Sequence, residues 1–325
     1  MIGTVLIGLA AGAASALMFA SIISGALIAL LLMYLTPLPL MVAAIGWGPL
    51  CAAIGGIAAA LGLGAIFGLP LGAAFAIGVA LPGWWLGHLA LLGRPVATGA
   101  ISNNDAAAVE AEIEWYPIGR ILLWIAGFAA LTTIAALLSL GTDAATITEA
   151  LRRGLTSFLT RSGSEPMPAE IQRWIDPLVS LAPIAAAAVA VPTLTLNLWL
   201  AAKITETSGR LRRPWPDLRT VTLPPVTLAA LCVAVALCFT GGLTALLAKV
   251  IVSALMLAYA FTGFAVLHTL TLALRSRAFW LGSMYAIVVM FTWPVLVIAA
   301  LGLADAIFNL RARFLRSRPP PLPAP

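Results

Sequence analysis

Charge is what this sequence has least of. Residues 1 to 93 contain no Asp, Glu, Lys or Arg, and over all 325 residues only 9% are charged while 62% are hydrophobic. An ordinary soluble domain is about 25% charged, and such a stretch in water would expose more apolar surface than a globular fold can hide. A water-soluble domain is therefore excluded, and the chain belongs in a bilayer. The chemical signatures of several enzyme classes are also missing. There is no GxxxxGK[ST] loop to hold ATP, no HExxH to hold zinc and no Asp-rich cluster to bind magnesium and diphosphate. The 2 histidines and a single acidic residue near the hydrocarbon leave few groups for acid-base chemistry, so no enzyme, cofactor or metal is expected. Cys51, Cys232 and Cys238 all fall in apolar runs without CxxC spacing and read as packing residues. A basic n-region and a small-residue cleavage site are absent at the start, so the first segment is expected to remain as a helix.

What is there is a series of apolar runs, with 18 Lys+Arg against 12 Asp+Glu placed mainly in short loops and the tail. That bias orients spans rather than binding nucleic acid. A spanning helix needs about 20 apolar residues. Residues 2 to 36 exceed one span and read as a hairpin of two short helices, broken near Ser21, Ser24 and Gly25, or as one long tilted helix. Spans follow at roughly 40 to 66 and 69 to 92, then a polar insertion at 93 to 117 carrying Asp105, Glu110, Glu112 and Glu114 and closing on Trp115, Tyr116 and Pro117. Another span covers roughly 118 to 140. The longest polar insertion, 141 to 176, repeats Ile147, Leu151, Leu155, Phe158 and Leu159 at helical spacing beside Arg152 and Arg153, the pattern of an amphipathic helix lying on the membrane surface.

After Pro177 a span runs to about 201, and the loop 202 to 223 carries Lys203, Arg210, Arg212, Arg213 and Arg219, which marks it as cytoplasmic. Further runs lie at roughly 224 to 240, 243 to 272 and 279 to 303. Charge and parity disagree at the end, because Arg275 and Arg277 and the tail arginines Arg311, Arg313, Arg316 and Arg318 flank one apolar run. Either the tail is outside, or the run breaks at Trp293-Pro294 and returns, or another segment does not span. The expected fold is an all-α polytopic transmembrane bundle of about eight or nine spans with one interfacial amphipathic helix. It forms a single domain over 1 to 312, followed by a disordered Arg/Pro-rich tail at 313 to 325.

Several residues stand out as candidates. Gly8, Gly12, Ala16, Ala20 and Ser24 recur every four residues, placing small side chains on one helix face where another backbone can approach, in this chain or in another subunit. Gly46, Gly48, Pro49, Gly55 and Gly56 interrupt the next run and either pack closely or expose backbone to a cavity. Trp84, Trp85 and His88 close the fourth run as interfacial anchors or as ligand contacts. Asn197 needs a buried partner, either a neighbouring helix or a ligand. Lys249 can snorkel to the interface, and Asp305 contacts Asn309 or a nearby arginine or couples a cation.

The pattern from Thr36 through Pro37, Pro39, Gly46, Gly48-Pro49 and Gly55-Gly56 to Gly68, Gly72, Pro82-Gly83 and Gly87 resembles the YybS-like family of predicted bacterial membrane proteins. Trp115 to Arg120, Asn197 with Ser208-Gly209-Arg210, and Gly302 to Arg311 add to that resemblance. The family is in turn similar to the S components of energy-coupling-factor vitamin transporters, which capture a small molecule and depend on a separate energising membrane subunit. The resemblance implies a bacterial inner-membrane, multi-pass binding or transport protein without its own ATPase, with the Gly8 to Ala20 stripe as docking face. The 141 to 176 insertion and the extra C-terminal spans set this chain apart from those components. Its rivals are a non-transporting scaffold or envelope assembly factor, and a secondary transporter using Asp305 or Lys249.

Overall fold

In the computed structural model, residues 2–96, 112–161 and 169–316 are described. Asp105, Glu110 and the tail from residue 317 onward lie outside them. Apart from one short hairpin and the connecting loops the described residues are helical, as a chain in lipid must be, since a helix satisfies its own backbone hydrogen bonds where no water can. They group into two compact units, residues 1–121 with 193–216, and residues 122–192 with 217–325.

The first unit opens with α1 (Ile2–Ala20), prolonged by a 3-10 turn to Ser24. The chain turns at Gly25, whose φ of +67° favours glycine. α2 (Leu27–Leu35) and α3 (Leu38–Trp47) then form one span. This corrects the expected hairpin within residues 2 to 36: α1 fills a span alone, and its partner runs on past Pro37 and Pro39. Proline in the first turn of a helix forfeits no hydrogen bond, so it does not end a span there. The break falls instead at Gly48, with φ +103°, before α4 (Pro49–Phe67). α5 (Leu69–Phe75), a π turn and α6 (Leu81–Leu91) make the next span. β1 (Gly93–Val96) pairs antiparallel with β2 (Glu112–Trp115), with Gly93 opposite Trp115. Leu40, Ala59, Leu63, Phe75 and Val79 form a buried core against which Phe19 packs, its ring edge-on to Phe75 at 5.5 Å.

α7 (Ile118–Leu140) and α9 (Ala169–Thr207) contribute to both units. The second unit also contains α8 (Ala144–Arg161), α10 (Val226–Leu237), α11 (Gly242–Leu270), α12 (Arg277–Phe291), α13 (Pro294–Phe308) and α14 (Leu310–Arg316). α8 is the amphipathic helix expected from residues 141 to 176, with Ile147 fully buried on its apolar face. Its start is fixed by Asp143, whose carboxylate accepts the Thr146 N–H at 2.9 Å and the Thr146 hydroxyl. These two bonds hold the Asp143 carboxyl below its ordinary pKa. α11 is the most buried helix of the unit and packs on α13 through Gly263 and Gly302. A Cβ at Gly302 would fall 2.7 Å from Thr262 Oγ1, so only glycine admits this approach.

Among the described residues seven helical segments are long and apolar enough to cross a membrane, or eight if α13 and α14, bent by 69°, count as one broken span. The upper figure meets the lower of the eight or nine expected, and α10 and α12, with only 12 and 15 residues, are not among them. At 1.5 Å per residue they reach about 18 and 22 Å, short of a hydrocarbon core of about 30 Å. The last apolar run does break, at Thr292 and Trp293, one of the resolutions left open by its charge pattern.

Candidate ligand-binding site

The candidates of the first unit are mostly engaged with one another. A Cβ on Gly12 would fall 2.6 Å from the Gly55 carbonyl carbon, and one on Gly55 would fall 2.8 Å from that of Gly8. The small-residue stripe of α1 is thus seated on α4 of the same chain, with Gly8 against Cys51 and Gly12 against Gly55. Ala16 and Ala20, further along, pack on the Phe75 core. Gly56 abuts Ala80, and Gly48 is a turn residue. On α6, Gly83 and Gly87 face α3, so Trp84, Trp85 and His88 lie half-buried on other flanks. Their rings stand in a row, with centroids 5.5 Å apart for Trp84 and Trp85 and 5.7 Å for Trp85 and His88. Asn197 is 1% exposed and donates from Nδ2 to Tyr34 O and Thr193 O, both at 2.8 Å, so its amide ties α9 to α2.

The basic loop of this unit is anchored by aromatic faces. Arg210 lies 4.4 Å from the Trp47 ring centroid and Lys203 3.8 Å from that of Trp215. Arg213, 5.9 Å from the Trp115 centroid, donates to Tyr116 O at 3.0 Å and Ala90 O at 3.5 Å. Burial lowers the pKa of its guanidinium, which nevertheless stays charged. These cations hold the loop onto the bundle, and little is left of them for a ligand.

The second unit holds a cavity of about 360 Å³, lined from α8 by Thr148 and Arg152, from α9 by Asp176, Val179, Ser180, Pro183 and Ile184, and from α11 by Leu246 and Lys249. Its size lies within the range of small-molecule pockets, about 300 to 1,000 Å³. Arg152 reaches Asp176 Oδ1 at 2.7 Å and so fastens α8 to the start of α9. The opposite wall is fixed by Ser253, whose hydroxyl donates to Ile184 O at 2.8 Å, holding α11 against α9 one turn beyond Lys249. Pro183 has no N–H, so the Val179 carbonyl four residues earlier lacks its usual helical donor. The lining combines polar side chains, Thr148, Arg152, Asp176, Ser180 and Lys249, with the apolar Val179, Pro183, Ile184 and Leu246. Among the described residues Lys249 forms no ion pair or hydrogen bond, and Arg152 Nε makes no hydrogen bond but lies 3.7 Å from Glu149 Oε2.

Two other polar clusters in this unit are closed by their own members. Asp305 accepts from Arg311 Nε at 2.8 Å and from its backbone N–H at 2.9 Å, and Arg311 Nη1 donates to Arg219 O at 2.7 Å. This is the structural contact expected of Asp305, made with arginine rather than Asn309. Asn309 instead adopts φ +51° at the bend between α13 and α14. His268 Nε2 bonds the Tyr285 hydroxyl at 2.7 Å, and Arg277 lies 3.4 Å from its Nδ1. No group of three or more His, Cys, Asp or Glu that could hold a metal ion occurs among the described residues.

The cavity was not visible in the sequence as a site. Arg152 and Lys249 read there as the charged rim of a surface helix and a snorkelling lysine, and Asp176 and Ser180 drew no notice. A signal was present in two cations and one carboxylate at the edges of three apolar segments. No family model matches the chain, and no curated protein or solved structure matches it either.

Proposed function

We propose that this multi-pass membrane protein binds a small molecule in the cavity bounded by α8, α9 and α11. The observation that carries this reading is a cavity between three helices whose lining joins an ammonium without an ion pair, Lys249, to the apolar Val179, Pro183, Ile184 and Leu246. The activity is non-enzymatic binding or transport in a bacterial inner membrane, related to the S-component type suggested by the glycine and proline pattern. The stripe from Gly8 to Ala20 contributes to internal packing, so any energising subunit docks elsewhere. On this reading Arg275 and Arg277, beyond the far end of α11, are cytoplasmic, and the cavity near its start opens on the opposite side.

A scaffold role is the second reading, favoured by α12. None of its residues is buried, and Phe279, Val289 and Met290 are each at least 70% exposed, a surface that lipid or a partner helix would cover. Native mass spectrometry of the protein extracted gently from its own membrane separates the two. A defined small-molecule adduct supports the binding protein. A ligand-free protein carrying stoichiometric partner chains supports the scaffold.

A further inference from the structure

Resting on that reading, we propose that the cavity takes a phosphate group carried on an apolar body, with Lys249 and Arg152 holding the phosphate oxygens and Val179, Pro183, Ile184 and Leu246 receiving the apolar part.

The charges of the lining require an anion. Around the cavity Arg152 is engaged by Asp176 at 2.7 Å and shares Glu149 with Arg153, at 3.7 and 4.0 Å, so that two carboxylates face three cations, of which Lys249 alone has no carboxylate. The lining therefore carries one positive charge in excess, on an ammonium without a partner among the described residues. A cationic ligand would be repelled, and a neutral one would leave the Lys249 ammonium without a counter-charge at the membrane boundary. A phosphate offers several oxygens spread in space, so it can meet Lys249 on α11 and Arg152 on α8 together, the Arg152 Nε being held only loosely by Glu149 at 3.7 Å, which a planar carboxylate with two oxygens does less well.

Depth favours a lipid as the source. α11 has 29 residues and so spans about 43 Å, leaving about 6 Å beyond each edge of a hydrocarbon core of about 30 Å. Lys249 follows the first residue, Gly242, by seven positions, or about 10 Å, which sets it just inside the hydrocarbon boundary beneath the phosphate layer. A phospholipid lying beside α9 and α11 would bring its phosphate to this level with its acyl chains along the Val179, Pro183 and Ile184 wall.

The test exposes purified protein in mixed micelles to dioleoyl phosphatidylglycerol, dioleoylglycerol or inorganic phosphate and counts retained molecules by native mass spectrometry. Phosphatidylglycerol is expected to be retained over dioleoylglycerol. Lys249→Gln should weaken retention about tenfold or more, the scale of one lost charge-assisted contact. Lys249→Arg should keep it, and Asp176→Asn, which releases Arg152, should strengthen it. Displacement by millimolar inorganic phosphate would identify a soluble phosphate as the source, and failure to displace would identify the lipid. Leu246→Trp or the milder Leu246→Phe fills the apolar end, with helicity and elution volume checking the fold. If dioleoylglycerol is retained as well as phosphatidylglycerol and Lys249→Gln has no effect, while Leu246→Trp still expels the ligand, the phosphate assignment is wrong and the cavity remains the binding site. If retention ignores Leu246→Trp and Leu246→Phe, the cavity itself is not the site.

Discussion

Placing a methyl group on Gly12 should separate α1 from α4. The Cβ of an alanine there would fall 2.6 Å from the Gly55 carbonyl carbon and 2.9 Å from its Cα, whereas ordinary contacts lie at 3.4–4 Å. Both obstacles are backbone, so no side chain can swing aside, and the two helices must part by roughly 1 Å along a face that also seats Gly8 on Cys51. Overpacking of this kind costs about 1–3 kcal/mol. In a thermal unfolding series in detergent, Gly12→Ala should lower the midpoint by several degrees. Gly62→Ala on α4, where a Cβ meets no atom within 4 Å, should leave the midpoint unchanged or raise it. The pair Gly12→Ala with Gly55→Ala should cost less than the sum of the singles, by about 0.5–3 kcal/mol, because one separation makes room for both methyls. Equal midpoints for Gly12→Ala and Gly62→Ala would refute the close approach. Loss of a co-purifying chain from Gly12→Ala at unchanged stability would show that the stripe docks a separate subunit.

Asp305→Asn leaves Arg311 charged and buried without its partner, and breaking a buried pair costs about 3–5 kcal/mol. α14 should then detach, which limited proteolysis detects as faster cleavage after Arg311, and Asp305→Leu with Arg311→Met should restore much of the resistance. The Asp143 cap should be pH-dependent in a defined direction. Its folded pKa lies below the unfolded value of about 3.9, so its contribution is complete above that value and is lost as pH falls through the lower folded one. Amide exchange at residues 145 to 147 should accelerate over that acid range and be fast at every pH in Asp143→Ala.

The number of crossings in the first half was legible, and so were most of their borders. Residues 1 to 92 contain four spans in the structure, as in the hairpin reading of the sequence, and the turns at Gly25 and Gly68 fall where the sequence put breaks, whereas the remaining turn falls at Gly48 rather than at Pro37 and Pro39. A glycine that turns the chain and one that admits a neighbouring backbone look alike in sequence. Gly48 and Gly55 sit seven residues apart and do these two different things. Asn197 was legible as a buried amide in need of a partner, but Tyr34, 163 positions away, could not be named. The short hairpin within 93–117 was missed, although Glu112-Ile113-Glu114-Trp115 alternates polar and apolar residues as a strand does. The cavity was hidden because its lining comes from three segments brought together by packing, and two of its charges had adequate local explanations as rim and snorkel.

Whether that cavity is occupied is best tested by thiol chemistry. With Cys51, Cys232 and Cys238 replaced by serine, Ser180→Cys places a thiol in the cavity wall and Ser139→Cys places an exposed control near the end of α7. A membrane-impermeant maleimide should label both, and adding the native lipid extract should slow Ser180→Cys while leaving Ser139→Cys unchanged. Equal rates at both sites with and without the extract would contradict a ligand in this cavity.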